Sequence, residues 1–231
     1  LKTQSISKFE ALVRWNNNGT WVSPVDFIPV AENFGLINKV GEIVLLKSCL
    51  VLKQLKEQGF TNIIFNINRS IYEFPRKKEH KNEWLEIIEK CGLLPKDICF
   101  ELTESVLAPE NNDNYIAILN KVQSAGCQIA LDDFGTGYSS LSYLRRFSIN
   151  VLKIDRSFIK EMTTVHDDKV LVSAIISMAK ALEISVVAEG VELKEEVDIL
   201  TGLGCDYIQG YYYSKPLPPE KLVSYLTSFV F

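Results

Sequence analysis

Short apolar runs rich in Val, Ile and Phe alternate along the chain with longer stretches in which apolar residues recur at helical spacing. The runs at 7–14, 62–68, 97–103, 127–133, 150–155, 184–189 and 206–211 predict strands. Between them the spacing predicts a helix from Ser23-Pro24 toward Asn33-Phe34-Gly35 and a longer one over 37–58 that stops at Gly59. Further helices are expected near 81–91, 112–125, 139–146, 167–183, 193–202 and 218–228. Ser23-Pro24 has the residue types of an N-cap and a first helical position, and Gly59 that of a helix stop. Repeated strand–helix units imply parallel strands with right-handed crossovers. Strand runs that are nearly all apolar suit a sheet covered on both faces.

The pattern breaks where each run ends, on an acid, an amide or a base. Glu10 opens EAL, Asn66 and Asn68 close IIFNIN, and Glu101 and Glu104 close ICFELTE. Asp132-Asp133 close QIALDDF, Lys153 and Asp155 sit in VLKID, Glu189 closes SVVAEG, and Gln209 follows DYI. Chemistry at the C-terminal ends of several parallel strands is the habit of a (β/α)8 barrel. A doubly wound open sheet is the alternative, but it places its site at one switch point. Seven strands are predicted where a barrel has eight, and residues 1–6 are polar and lead straight into the first run. The expected fold is therefore an α/β barrel in one domain over 1–231, with its first strand upstream of Leu1 and missing from this sequence.

A length of 231 residues and an apolar fraction of 47% fit one such domain with a sizeable core. A net charge of −4 and a pI near 5.4 argue against a broad footprint for DNA or RNA duplex. A small phosphate ligand stays open, because bound cations invert the field of an acidic pocket. The five cysteines (Cys49, Cys91, Cys99, Cys127, Cys205) have no CxxC spacing and read as small buried hydrophobes in a reduced, cytoplasmic compartment. No run is apolar enough to span a bilayer. The charge run 75–81 reads as a solvated loop or a docking surface.

An acid flanked by Ile, Ala, Leu and Phe must be paired or bind a metal, because burying a lone carboxylate is costly. Glu10, Asn66, Glu101, Asp132, Asp133 and Glu189 together offer hard oxygen ligands, and the adjacent pair Asp132-Asp133 can serve two ions. His80 and His166 lie in polar surroundings, so Mg2+ or Mn2+ is favoured over zinc or copper. Lys153 can orient an attacking water beside metals, form a Schiff base, or pair with a carboxylate. The carboxylates favour the first use, since a two-metal centre acidifies water and clamps a phosphodiester. The glycine-rich stretch Gly135-Thr136-Gly137-Tyr138-Ser139-Ser140 reads either as a phosphate cradle or as a turn. Gln209 reads as a ligand to substrate or water, or as a satisfied amide.

With EALVRW (10–15), FNIN (65–68), ELTE (101–104), LDDFGTGYSSL (131–141), LKID (152–155), AEGVE (188–192) and QGYYYSKPL (209–217) in order, the chain resembles the EAL-domain phosphodiesterases, which hydrolyse cyclic di-GMP. The resemblance covers essentially all of 8–219. It implies a modified TIM-type barrel with one strand antiparallel to the others, and hydrolysis to linear 5′-pGpG with Mg2+ or Mn2+. It makes Glu10, Asn66, Glu101 and Asp132 ligands of a first ion, with Asp132 bridging to a second near Asp133 and Glu189. It makes Lys153 the water-positioning residue beside Glu189, and it places Leu12, Arg14, Asp155 and Gln209 against substrate. Phe134, Gly135, Thr136 and Gly137 resemble a loop that links the metal site to homodimerisation, anchored by Glu104. Ca2+ is expected to inhibit, because it favours longer, looser coordination. Asn68 stands where the family usually has Ser, and Leu193 replaces a frequent Thr. The family normally carries a Gln-Pro strand before Glu10, which agrees with the strand count. Relatives often carry sensory, diguanylate-cyclase-like or membrane segments upstream. A catalytically quiet cyclic di-GMP receptor is the alternative, though such receptors typically lack a metal ligand or the lysine, all of which are present here. A Schiff-base lyase using Lys153 is a third reading.

Overall fold

The computed structural model describes residues 5–74, 83–104, 113–135, 144, 147–163 and 166–229. The chain divides into two compact units, Ser7–Leu102 with Pro109–Gln128, and Ile129–Phe231 with Leu1–Ile6 and Thr103–Ala108.

In the first unit, β1 (Lys8–Ala11), β4 (Ile64–Arg69) and β5 (Ile98–Thr103) form a parallel ladder in that order, with Glu10 opposite Asn66 and Asn68 opposite Glu101. The run at 7–14 is shorter than its pattern predicts. Past Ala11 the chain enters a hairpin, β2 (Trp15–Asn17) antiparallel to β3 (Thr20–Val22), which the apolar pattern did not announce. The hairpin is made by Asn18-Gly19 at φ 50° and 94°, the left-handed pair that matches strand twist, and Gly19 N donates to Asn16 Oδ1 at 2.7 Å. Helix α1 (Pro24–Asn33) starts where Ser23-Pro24 predicts, but the Ser23 side chain makes no capping bond.

Helix α2 (Ile37–Glu57) buries Leu45, Cys49, Leu52 and Leu55, one stripe at helical spacing, and packs on β4. It ends at Gly59, φ 95°, where Phe60 N donates to Leu55 O. Helices α3 (Glu83–Lys90) and α4 (Asp113–Ser124) complete the unit. Ile98, Cys99 and Phe100 in β5 are all fully buried, as expected for a strand covered on both faces.

At the end of β4, Arg69 is buried over the adjacent rings of Trp84 (4.5 Å) and Phe100 (5.1 Å) and pairs with Glu73 at 2.7 Å. Burial lowers the guanidinium pKa and raises that of the Glu73 carboxyl, each partly offset by the other's charge. Breaking such a pair on one side leaves a buried charge, whereas removing both charges is nearly neutral. Arg69→Met is therefore expected to lose about 3 kcal/mol in urea unfolding. Adding Glu73→Gln, which keeps an acceptor for Ser70 N, should restore most of that loss.

In the second unit β6 (Gln128–Phe134), β7 (Val151–Ile154), β8 (Ser185–Ala188) and β9 (Tyr207–Ile208) form a parallel ladder in sequence order. The last strand ends at Ile208, so Gln209 and Gly210 lie just beyond it. A short helix missing from the sequence pattern, α5 (Arg156–Glu161), precedes α6 (His166–Ala181), α7 (Lys194–Leu203) and α8 (Leu222–Ser228). Leu193 at the start of α7 supplies no capping side chain. Glu196, in the first turn, reaches back instead and accepts from Glu192 N at 2.7 Å and Leu193 N at 2.9 Å.

The helix expected at 139–146 lies outside the described residues apart from Leu144, as do the charge run at 75–81 and His80. All five cysteines are buried and free of disulfide bonds. Burial pushes the thiols of Cys49, Cys127 and Cys205 up to about 12, which keeps them protonated and inert. Among the described residues no helix is long and apolar enough to cross a membrane.

Candidate metal centre

The second unit gathers charge around Lys153. Its Nζ lies 2.6 Å from Glu189 Oε1 and 3.1 Å from Asp132 Oδ1, and its side chain is 1% exposed. The three residues come from β7, β6 and the turn after β8, so the ladder itself brings them together. Carboxylate oxygens of Asp132, Asp133 and Glu189 lie within 4.8 Å of one another.

Adjacent strand residues normally point to opposite faces, so an Asp-Asp pair should not converge. It does so here because the β6–β7 register shifts between Leu131 and Phe134, and Asp133 takes a left-handed φ of 54°. This bulge re-aims the second carboxylate, as bulges beside active sites do. Asp132 is buried and Asp133 exposed, and Asp133 N donates to Asp132 Oδ1 at 3.1 Å. Three carboxylates thus gather at one place, two of them in contact with the one ammonium.

Gly135, φ 101°, follows the bulge. A Cβ there would stand 2.8 Å from the Phe158 ring, and Gly135 N donates to buried Glu104 Oε2 at 3.3 Å. Phe134 is buried, and Thr136 and Gly137 lie outside the described residues. Asp155 caps α5, its Oδ1 accepting from Ser157 N and Ser157 Oγ. The backbone of Gln209 bonds Ala188 O and Val191 N, which fixes it beside Glu189 in the ladder.

The first unit holds a second set of oxygens. Asn66 is buried, and its Nδ2 donates to Glu101 Oε1 at 2.8 Å. Because a carboxylate only accepts, this bond fixes the amide orientation and leaves Oδ1 as the outward atom. Asn66 Oδ1 is buried and has no donor among the described residues. An orphaned amide oxygen beside a fully buried glutamate is the environment of a hard-cation ligand. Glu10, half-buried, accepts from Asn68 Nδ2 at 2.7 Å. Leu12 and Arg14 are exposed past the end of β1, and the Arg14 guanidinium bonds Val13 O.

The sequence reading missed Asn68 as a partner of Glu10, the bulge under Asp133 and the cap at Asp155. For Asn68 the signal was available, as an amide two residues after a predicted ligand and on the same strand face. The other two needed the register.

Parallel strands of the second unit that end in three clustered carboxylates beside one buried lysine define an α/β domain with a candidate metal centre. A model of the EAL domain matches residues 1–216, and the chain belongs to that family. Its fold class is that of the family, α/β and a modified TIM-type barrel. The bifunctional diguanylate cyclase/cyclic di-GMP phosphodiesterase MucR of Pseudomonas aeruginosa is 37% identical over 219 residues, covering 93% of this chain and 31% of MucR. The chain thus spans just under a third of that relative's length. A structure of the MucR phosphodiesterase in complex with c-di-GMP matches with TM-score 0.82 and 35% identity over 92% of this chain and 86% of that one. The EAL enzyme Bd1971, bound to cAMP and cyclic di-GMP, matches with TM-score 0.90 and 33% identity over 97% of this chain and 61% of that one.

Proposed function

We propose that this chain is a metal-dependent phosphodiesterase that hydrolyses cyclic di-GMP to linear 5′-pGpG. The observation that carries the reading is Lys153, buried between Asp132 and Glu189 with Asp133 alongside. The clustered carboxylates there and the orphaned Asn66 Oδ1 both fit Mg2+ or Mn2+. Glu10, Asn66, Glu101, Asp132, Asp133 and Glu189 would hold two such ions. When bound, divalent ions acidify water and stabilise charge on phosphodiester oxygens.

The chain's own groups do the rest. Lys153 Nζ donates to and orients the attacking water. Glu189 holds that ammonium in place. Arg14 pairs with a substrate phosphate, Leu12 packs against the ligand, Asp155 reads a guanine edge, and Gln209 holds substrate or water. Glu104, through Gly135 N, ties the site to the loop of Phe134, Gly135, Thr136 and Gly137 and to homodimerisation. The two relatives named for cyclic di-GMP support the ligand. The setting is cytoplasmic signalling, with this domain joined to further sensory or membrane segments in a longer protein.

Turnover of cyclic di-GMP to 5′-pGpG is expected with Mn2+ or Mg2+, to stop with EDTA, and to be inhibited by Ca2+; chromatography of the products checks all three. Tight binding of cyclic di-GMP without turnover under any metal would make the chain a receptor instead.

A further inference from the structure

We propose that Asn68 determines how Glu10 meets a divalent ion, and so helps this chain prefer Mn2+ or Mg2+ over Ca2+. The inference rests on the metal-site reading of Glu10 given above. Residues 66 and 68 of β4 share one face, because side chains alternate along a strand. Asn66 stands opposite Glu10 in the ladder and Asn68 opposite Glu101. The hydrogen bonds nevertheless run along the diagonals, Asn66 Nδ2 to Glu101 Oε1 and Asn68 Nδ2 to Glu10 Oε1. Each amide therefore braces the acid of the strand on the other side from its register partner, and the two bonds cross on β4.

Reach makes the residue type matter. The amide nitrogen lies two bonds beyond Cβ, and a serine hydroxyl at position 68 would end one bond short of it. The 2.7 Å contact to Glu10 thus depends on the asparagine found in this chain. It is a bond to a charged acceptor, the stronger kind. With one acceptor site of Oε1 engaged by the amide, Glu10 is biased against meeting one ion through both oxygens. Ca2+ commonly takes a carboxylate through both oxygens in loose, high-coordination geometry, whereas Mg2+ demands single, short, near-octahedral contacts. Asn68 is accordingly a positioning residue, acting on metal choice through Glu10.

Calorimetric titration of the metal-free chain with Mn2+ alone and with Ca2+ alone tests this, using the parent, Asn68→Ala, Asn68→Ser and Glu10→Ala. Asn68 is exposed, so the melting temperature without metal should fall only slightly, and equally, in both Asn68 variants. The ratio of the Ca2+ to the Mn2+ dissociation constant is expected to fall about tenfold in Asn68→Ala, in line with the effect of residues that orient metal ligands. Asn68→Ser should behave like Asn68→Ala. An unchanged ratio in Asn68→Ala, with Mn2+ binding weakened in Glu10→Ala, overturns the role of Asn68 and leaves the metal site standing. Undiminished Mn2+ binding by Glu10→Ala, or no Mn2+ binding by the parent, overturns the site reading and this inference together.

Discussion

Replacing Lys153 with methionine is expected to cut kcat for cyclic di-GMP about 10³-fold, the order contributed by a positioned proton-handling group. The same change should destabilise the metal-free chain. The Lys153 ammonium lies 2.6 Å from Glu189 and 3.1 Å from Asp132, and all three side chains are largely withdrawn from water. Removing one side of such a cluster leaves like charges facing each other at low dielectric, a cost of about 3–5 kcal/mol. Divalent ions supply positive charge to the same carboxylates. The loss of melting temperature should therefore be large in EDTA and smaller in Mn2+, while kcat stays low in both. Thermal unfolding with and without Mn2+, run beside a turnover assay, separates the two effects. Near-normal turnover by Lys153→Met would remove Lys153 from the chemistry.

Gly210→Ala should be the most damaging glycine-to-alanine substitution among the described residues. A Cβ on residue 210 would stand 2.0 Å from Val191 O and 2.4 Å from Val191 N, both backbone atoms. The two segments cannot part easily, since Val191 N donates to Gln209 O at 3.1 Å and Tyr212 N donates to Val191 O at 3.0 Å. One added methyl thus has to break bonds on either side of it. The expected loss is at or above the upper end of the range of about 1–3 kcal/mol for overpacking. Gln209 would be displaced with it, so KM should rise in whatever protein folds. Gly202→Ala is the control. Position 202 lies in α7 with nothing within 4 Å of a new Cβ, and it should gain about 0.5–1 kcal/mol from helix propensity. Equal melting temperatures for the two variants would refute the close approach.

The acids and the lysine were legible in the sequence because chemistry forces them to stand out. Glu101 and Lys153 lie inside ICFELT and VLKI, where a charge must have a partner or an ion. The strand order was also legible, since alternating strand and helix periods leave few topologies. Other features were hidden for a shared reason. Nothing in DDF announces a bulge, yet the bulge turns the second carboxylate toward Glu189. Asp155 looks like a strand-end acid and also caps α5, a helix too short to show a period. The hairpin at Asn18-Gly19 was overlooked because its strands are three residues long and largely exposed, without an apolar face.

The sequence by itself determined the residue chemistry and the family, through hard oxygen donors and one base at the ends of apolar strands. The tertiary structure decided the pairings. Asn68 braces Glu10 and Lys153 joins Asp132 to Glu189, while Gly210 is pressed against Val191. These contacts depend on strand register and on the space between segments far apart in the chain. Residue periodicity records which face a side chain takes, but not which neighbour waits there.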